Sequence, residues 1–300
     1  MTTYDVIIAG GSYAGLSAAM ALGRARRKVL VVDSGKPCNR FTPHSHNFLT
    51  QDGRRPAEIA QLAKEQVLQY PTVEFEDAAV VDVIRMGSVF KVSVNSGKIV
   101  QGEKLILAAG IRDLMPAIQG FADCWGKSIL HCPYCHGYEV RDKATGILAN
   151  GEMAFELARL ISNWTSDLTV LTNGKATLTS QQMDWLNQRN IRVLESEIAA
   201  LEHEHGLIRA VSFTDGSVLG LEALYARPAF ELQVGFASKL DLELTEQGLI
   251  KVDGQQRTSQ QGVFAAGDSS ILMRSVASAV ASGNLAGAMA NKDLIEERFA

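Results

Sequence analysis

Between Tyr4 and Asp33 the chain spells out a unit that few folds can hold. Tyr4-Asp5-Val6-Ile7-Ile8-Ala9 is a short apolar run rich in β-branched residues, the pattern of a strand buried in a parallel sheet. Gly10-Gly11-Ser12-Tyr13-Ala14-Gly15 follows; the alanine- and leucine-rich residues 16–24 predict a helix, and 28–32 a second strand that ends at Asp33. Strand, glycine turn, helix and strand make a βαβ unit, which needs a parallel sheet with a crossover helix on its face. The turn also carries chemistry. Gly10 permits the tight bend, Gly15 lets helix and strand approach, the helix N-terminus offers its N–H groups to a pyrophosphate, and Asp33 can accept hydrogen bonds from an adenosine ribose. Ser12 stands where such turns carry their middle glycine, so the backbone approaches phosphate less freely. A carboxylate at position 33 suits a free ribose hydroxyl, as in FAD or NAD, better than a 2′-phosphate.

A second feature is the run His131-Cys132-Pro133-Tyr134-Cys135-His136-Gly137-Tyr138-Glu139. Two cysteines separated by two residues can close a small disulfide ring or hold a metal. Pro133 stiffens the ring by fixing φ, and His136 supplies an imidazole that titrates near neutrality, suited to moving the proton of thiol–disulfide exchange. A structural zinc site is the rival reading, but it wants four ligands, and Cys38 and Cys124 stand alone. Redox chemistry at Cys132 and Cys135 therefore leads, with His136 as acid and base and no metal expected. The pair His44-Ser45-His46 has no third ligand nearby in sequence and reads as surface or hydrogen-bonded histidines.

The other segments fill in an α/β chain. Residues 34–56 read as loop and 57–69 as an amphipathic helix; 73–75, 79–84, 89–94 and 99–100 predict strands of a small antiparallel insert, and 104–110 another buried strand. After the cysteines, residues 145–154 repeat the strand–turn–helix plan, with a helix over 155–164 and a strand over 168–171. Ala149 replaces the first glycine, and Thr172-Asn173-Gly174-Lys175 offers no arginine pair for a 2′-phosphate. Two readings stand side by side there: a working NAD(P)H site, or a scaffold that keeps only the fold. Strands over 191–194, 198–201, 208–213 and 221–225 close that middle part; Gly267-Asp268 ends a late strand, where the carboxylate can bind a polyol hydroxyl or cap a helix, and residues 275–291 predict a long helix of small residues. With 300 residues, 46% hydrophobic and a net charge of −4, the chain has ample core and no basic block for nucleic acid. It shows no apolar run for a membrane and no signal peptide, and four cysteines with one close pair fit a reducing cytoplasm.

Taken together these motifs resemble the low-molecular-weight thioredoxin reductases, over nearly the whole chain. The resemblance implies two Rossmann-like, three-layer ββα domains: an FAD domain over 1–113 and 231–300, split by an inserted pyridine-nucleotide-type domain over 114–230 that carries Cys-x-x-Cys. It implies that FAD is held by Gly10, Ser12, Tyr13, Ala14, Gly15, Asp33, Asn39, Arg40, Ala109, Gly110, Gly267, Asp268, Ser275 and Val276, with Arg274-Ser275-Val276 passing the flavin ring. It further implies that Cys135 faces the flavin, that Cys132 meets the substrate, and that the chain forms a homodimer. Three departures point to one branch: His136 replaces an aspartate, the pyridine-nucleotide motif is incomplete, and Leu224-Tyr225-Ala226-Arg227-Pro228 replaces a glycine-bearing motif. The ring Cys-Pro-Tyr-Cys-His-Gly-Tyr-Glu is similar to that of the FAD-dependent dithiol oxidases of the gliotoxin and holomycin type, which give electrons to oxygen. The expected function is an FAD-dependent disulfide/dithiol oxidoreductase, with a small dithiol, a small disulfide or a thioredoxin-like protein as partner. The alternatives are an oxidase that makes no use of NAD(P)H and a non-catalytic flavin redox sensor.

Overall fold

The structure is a computed structural model and describes residues 2–299. The chain divides into two compact units: the first holds Met1–Arg40, Phe48–Arg112 and Phe230–Ala300, the second Phe41–Asn47 and Asp113–Ala229. The short segment Phe41–Asn47, which the sequence places inside the first unit, groups with the second.

The first unit is built on a seven-stranded sheet. Its centre is the strand Thr3–Ala9, flanked in parallel by Val29–Asp33 and Ile99–Leu107. Residues 29–32 and the last four residues of each of the other two strands are buried, which is why 6–9, 29–32 and 105–107 read as apolar runs. The helix Tyr13–Arg24 crosses over between the first two strands and begins three residues earlier than the predicted helix, directly on the glycine turn. The final helix, Val276–Phe299, also outruns its predicted end at 291 and lies along the first helix. Gly283 and Gly287 make that approach possible: a Cβ on either would stand 2.0 Å from the Ala14 carbonyl oxygen or 2.6 Å from that of Ala18. The small-residue stripe is thus consumed inside the unit.

The predicted antiparallel insert needs correction. Val73–Asp77 pairs in parallel with Val29–Asp33 and belongs to the main sheet. Residues 99–100 and 104–107 are one strand, Ile99–Leu107. Its first half pairs antiparallel with Val89–Val94, which pairs with Val80–Met86; its second half lies between Thr3–Ala9 and Val263–Ala265, both parallel to it.

The second unit repeats the plan on a five-stranded parallel sheet, ordered Arg192–Leu194, Leu168–Leu171, Thr145–Leu148, Ala223–Ala226, Ile129–Leu130. The crossover helix Gly151–Ile161 starts four residues before the predicted one and buries Ala154, Leu157, Ala158 and Ile161. A three-stranded antiparallel sheet, Ile198–Glu204, Leu207–Phe213 and Val218–Gly220, packs its apolar side into a core with Phe121, Trp125 and Leu224.

Candidate active site

In the first unit the glycine turn is held by backbone contacts that leave no space for side chains. Gly10 adopts φ +105°, and a Cβ there would stand 2.3 Å from the Ala108 carbonyl oxygen; one on Gly15 would stand 1.8 Å from the Gly10 carbonyl oxygen. The turn therefore sits directly on the end of the neighbouring strand. Ser12 takes the N-cap position without a side-chain cap, which leaves the N–H groups of the first helical turn available to an anion. Asp33 accepts from the Gly11 N–H through Oδ1 at 3.0 Å. Gly10, Ser12, Asp33 and Ala109 line one open cleft of about 570 Å³. It is completed by residues that the sequence did not single out, among them Lys36, Ala78, Gln233 and Phe236. Gln233 braces the strand end beside the cleft. Its Nε2 donates to the carbonyls of Ala109, at 3.3 Å, and Ile111, at 2.9 Å, and so fixes the turn at Gly110, where φ is +69°.

The other expected cofactor residues fall into two groups. Tyr13 and Ala14 put their side chains into the core. The Tyr13 hydroxyl donates to the Pro56 carbonyl at 3.1 Å and accepts from Asn39 Nδ2 at 3.3 Å, and burial raises its pKa. Asn39 thus ties the loop after Asp33 to the first helix, and Arg40 donates to the Pro37 carbonyl at 2.9 Å. Gly267 and Asp268 lie in a single turn, Gly267–Ser269, pinned by Ser282 Oγ, which accepts from the Gly267 N–H at 3.0 Å. Asp268 pairs with Arg274 at 3.7 Å, and Arg274 also donates to Cys38 Sγ at 2.8 Å. Ser275 acts as a cap, accepting from the Ser278 N–H at 3.0 Å just before Val276 opens the final helix.

In the second unit Cys132 and Cys135 are joined by a disulfide, with Cα atoms 5.3 Å apart. Pro133–His136 forms one helical turn with Cys132 as its N-cap and Pro133 at the first position, where its fixed φ costs nothing. That turn brings the cysteines, three residues apart, to one side. Gly137 seats the turn on Trp164: a Cβ there would stand 2.9 Å from Trp164 Nε1. Tyr134 packs edge-on against the same indole at 5.6 Å. Burial lowers the pKa of His136, His46 lowers it further, and Glu139 opposes them. His136 is thus biased to its neutral form, the form that accepts a proton. His46, expected from the sequence to be a surface or hydrogen-bonded histidine, stands beside it. Its ring meets His136 edge-on at 6.1 Å, and its Nε2 is 3.6 Å from Glu139 Oε1. No local pattern announces this, because the contact joins positions far apart in the chain.

The turn of the second βαβ unit is arranged unlike the first. Asn150 caps the helix Gly151–Ile161 with its own side chain, Oδ1 accepting from the Gly151 N–H at 2.8 Å. The same oxygen accepts from the Thr177 N–H at 2.8 Å and the Thr177 hydroxyl at 3.1 Å, while Asn150 Nδ2 donates to the Lys175 carbonyl at 2.8 Å. Residues 175–177 are strapped across the helix start, and Thr177 Oγ1 would lie 2.8 Å from a Cβ on Gly151. Glu152 adds a carboxylate to the first turn and accepts from Gln182 at 2.6 Å. Glu195, on the loop after the neighbouring strand, accepts from the Ala176 N–H at 2.9 Å.

Comparison with known proteins places these features in context. Residues 4–283 match the family model for pyridine nucleotide-disulphide oxidoreductases. The chain is 34% identical to thioredoxin reductase tcpT of Claviceps purpurea (strain 20.1), over 98% of this chain and 95% of that protein. Among solved structures it resembles an oxidoreductase from Agrobacterium tumefaciens, with 38% identity, a TM-score of 0.91 and coverage of 98% and 99%. It also resembles HlmI, with 32% identity, a TM-score of 0.94 and coverage of 100% and 96%.

Proposed function

The chain belongs to the pyridine nucleotide-disulphide oxidoreductases, and from that premise we propose that it works as an FAD-dependent dithiol oxidase. As a thioredoxin reductase-like enzyme it acts on sulfur through the Cys132–Cys135 pair. The family implies FAD, and the first unit fits it: an uncapped helix start, a cradle at Gly10 that a Cβ would fill, and Asp33 on one cleft. On this reading the turn at 10–15 and the helix behind it hold the pyrophosphate, and Asp33 accepts from the ribose. Asp268 accepts from the polyol chain, and Asn39, Arg40, Ala109, Gly110, Ser275 and Val276 frame the rest. FAD, when bound, supplies the two-electron store.

The observation that carries the direction of electron flow is the strapped turn at Asn150. A nucleotide pyrophosphate needs open N–H groups at the helix start and dislikes a nearby carboxylate. Here the Gly151 N–H is already satisfied, residues 175–177 cover the turn, and Glu152 adds negative charge. This supports electron entry from a dithiol, without NAD(P)H, and exit to oxygen. In the forward direction a substrate thiolate attacks Cys132 Sγ and Cys135 leaves as thiolate, while His136 holds the proton. The substrate on this reading is a small dithiol; the enzyme is cytoplasmic and homodimeric. With the glycine stripe of the final helix spent against the first helix, the dimer rests on the family resemblance alone.

Anaerobic titration of the purified protein, following flavin absorbance, tests this. Bleaching by a small dithiol but not by NADPH or NADH, with colour restored by air, is expected. Prompt bleaching by NADPH would overturn the oxidase reading in favour of a reductase. Turnover of a dithiol at the wild-type rate by Cys135→Ser protein would overturn the role of the ring itself, and an absence of steady turnover would favour a sensor.

A further inference from the structure

Oxidising a dithiol releases two protons, and one imidazole accepts one. The structure brings a second imidazole to the first. The segment Phe41–Asn47 leaves the unit that surrounds it in sequence and joins the second unit. There it sets His46 edge-on to His136, ring centroids 6.1 Å apart and planes at 88°. The far side of His46 faces Glu139, with Nε2 3.6 Å from Oε1. His136 is the more secluded partner, and both its burial and His46 disfavour a charge on it. His46 stands beside His136 with a carboxylate on its other side, so it is placed to hold a proton that His136 passes on.

Building on the reading of Cys132–Cys135 as electron acceptor for a dithiol, we propose that His46, held by Glu139, is the second proton acceptor of that half-reaction and clears His136 between its two steps. The step balances within the chain. The first substrate thiol gives its proton to His136, and its thiolate attacks Cys132 Sγ. The Cys132–Cys135 bond breaks, and the electron pair leaves on Cys135 Sγ. The proton moves on to His46. The second substrate thiol then gives its proton to His136, and its thiolate attacks the substrate sulfur of the mixed disulfide, releasing Cys132 as thiolate. The substrate loses two electrons and two protons and gains an S–S bond; the ring's disulfide is the oxidant. His46 and Glu139 are positioning residues that act through His136.

The titratable groups around this pair include His44, at 6.4 Å from His46, Glu139, and Tyr225, which feels the charge of Glu139. The Tyr225 hydroxyl is buried without a hydrogen-bond partner among the described residues and is held protonated by burial and by the charge of Glu139.

The test is single-turnover reduction of the ring in the purified holoenzyme by dithiothreitol, quenched by alkylation and read by mass as a function of pH. Dithiothreitol's own ionisation is common to every variant, so differences report the protein. His46→Gln removes an imidazole whose protonated form disfavours a charge on His136, so the acid limb is expected to move up by at most about half a pH unit, the effect of one charge at this distance in a watery medium. The second exchange is also expected to slow about tenfold or more, the scale of a lost proton acceptor. Glu139→Gln removes the opposing charge, so the limb is expected to move down by a similar amount. Tyr225→Phe removes no charge and is expected to leave it in place. Opposite shifts are the signature, since a merely structural loss has no reason to reverse sign between the two. Limbs that coincide with wild type, or that move together, overturn the relay. If His46→Gln does not fold, the Glu139→Gln limb decides alone, a coincident limb overturning the relay. A wild-type ring that dithiothreitol fails to reduce overturns the underlying reading instead.

Discussion

Replacing Gly283 by alanine sets two opposed effects against each other, and the structure says which wins. In a helix interior the change gains about 1 kcal/mol of intrinsic propensity. Against this, the new Cβ would stand 2.0 Å from the Ala14 carbonyl oxygen, 2.7 Å from its carbon and 2.8 Å from its Cα. All three obstacles are backbone, so no rotamer change relieves them. Reaching an ordinary contact near 3.4 Å requires the final helix to back away by about 1.4 Å, the difference from 2.0 Å. That retreat also loosens Gly287 against Ala18 and the buried contacts of Ala279 and Ala286. Overpacking of this kind costs about 1–3 kcal/mol, and a backbone-to-backbone clash belongs at the upper end. The net expectation is a loss of about 2 kcal/mol in the first unit, or roughly a thirtyfold fall in hydrogen-exchange protection of the helix Tyr13–Arg24. Exchange is the right assay because Trp125, Trp164 and Trp185 all lie in the second unit, so their fluorescence follows that unit. Gly254→Ala, with nothing within 4 Å of the new Cβ, is the control and is expected to change protection less than about twofold. Unchanged or increased protection in Gly283→Ala protein would refute the claim that this glycine exists for helix approach.

Two further outcomes are expected. Asn150→Ala removes a helix cap and the three bonds that strap 175–177, and should cost about 2 kcal/mol of second-unit stability, read as a lower urea midpoint of tryptophan fluorescence; an unchanged midpoint would show the strap to be incidental. His136 has a folded pKa below its unfolded value of 6.5, so the unfolded chain takes up a proton that the folded chain resists. Its contribution is full above pH ~6.5 and is lost as pH falls through the folded value, so His136→Gln protein should lose less stability on acidification below that point than wild type does, as urea melts across the range would reveal.

How much of this was legible in the sequence depends on how local each cause is. The strand predicted over 168–171 is the observed Leu168–Leu171, because a buried parallel strand leaves a short run of apolar and β-branched residues, here Leu-Thr-Val-Leu, bounded by polar ones. The turn at 10–15 was equally legible, since each glycine answers to a steric demand. The strand Ile99–Leu107 was read as two pieces for a physical reason: it changes environment midway. Its first residues alternate in burial beside an antiparallel neighbour, and its last four are buried throughout between parallel ones. Gly102, between the two pieces, is where a side chain would meet Ile7 at 2.8 Å. The partner of Val73–Asp77 was not legible, because pairing is decided by distant strands. The final helix was cut short at Asn291 because the charged run beyond it breaks the small-residue pattern. Those charges are held in place: Lys292 and Glu296 pair at 3.5 Å one turn apart on the exposed face, while Asp293 pairs with Arg257 at 2.5 Å and Glu297 with the buried Lys104 at 2.6 Å.

The two βαβ turns of this chain show why a motif count is a poor guide to what a nucleotide-type unit can hold. By glycines alone, Ser12 damages the first turn and Ala149 the second, one departure each. What separates them is where the donors go. At the first turn the Gly11 N–H is spent on Asp33, which positions the carboxylate, and the helix start has no side-chain cap. At the second, Asn150 spends its side chain on its own helix and on Thr177, so the capacity to bind an anion is satisfied internally before any ligand arrives. Filling such a site from outside would first cost the breaking of those bonds, each net worth about 1 kcal/mol, and would then set a phosphate beside Glu152. An asparagine at the N-cap thus decides more here than the missing glycine does. The proposed direction of electron flow follows from that residue and the strap it holds.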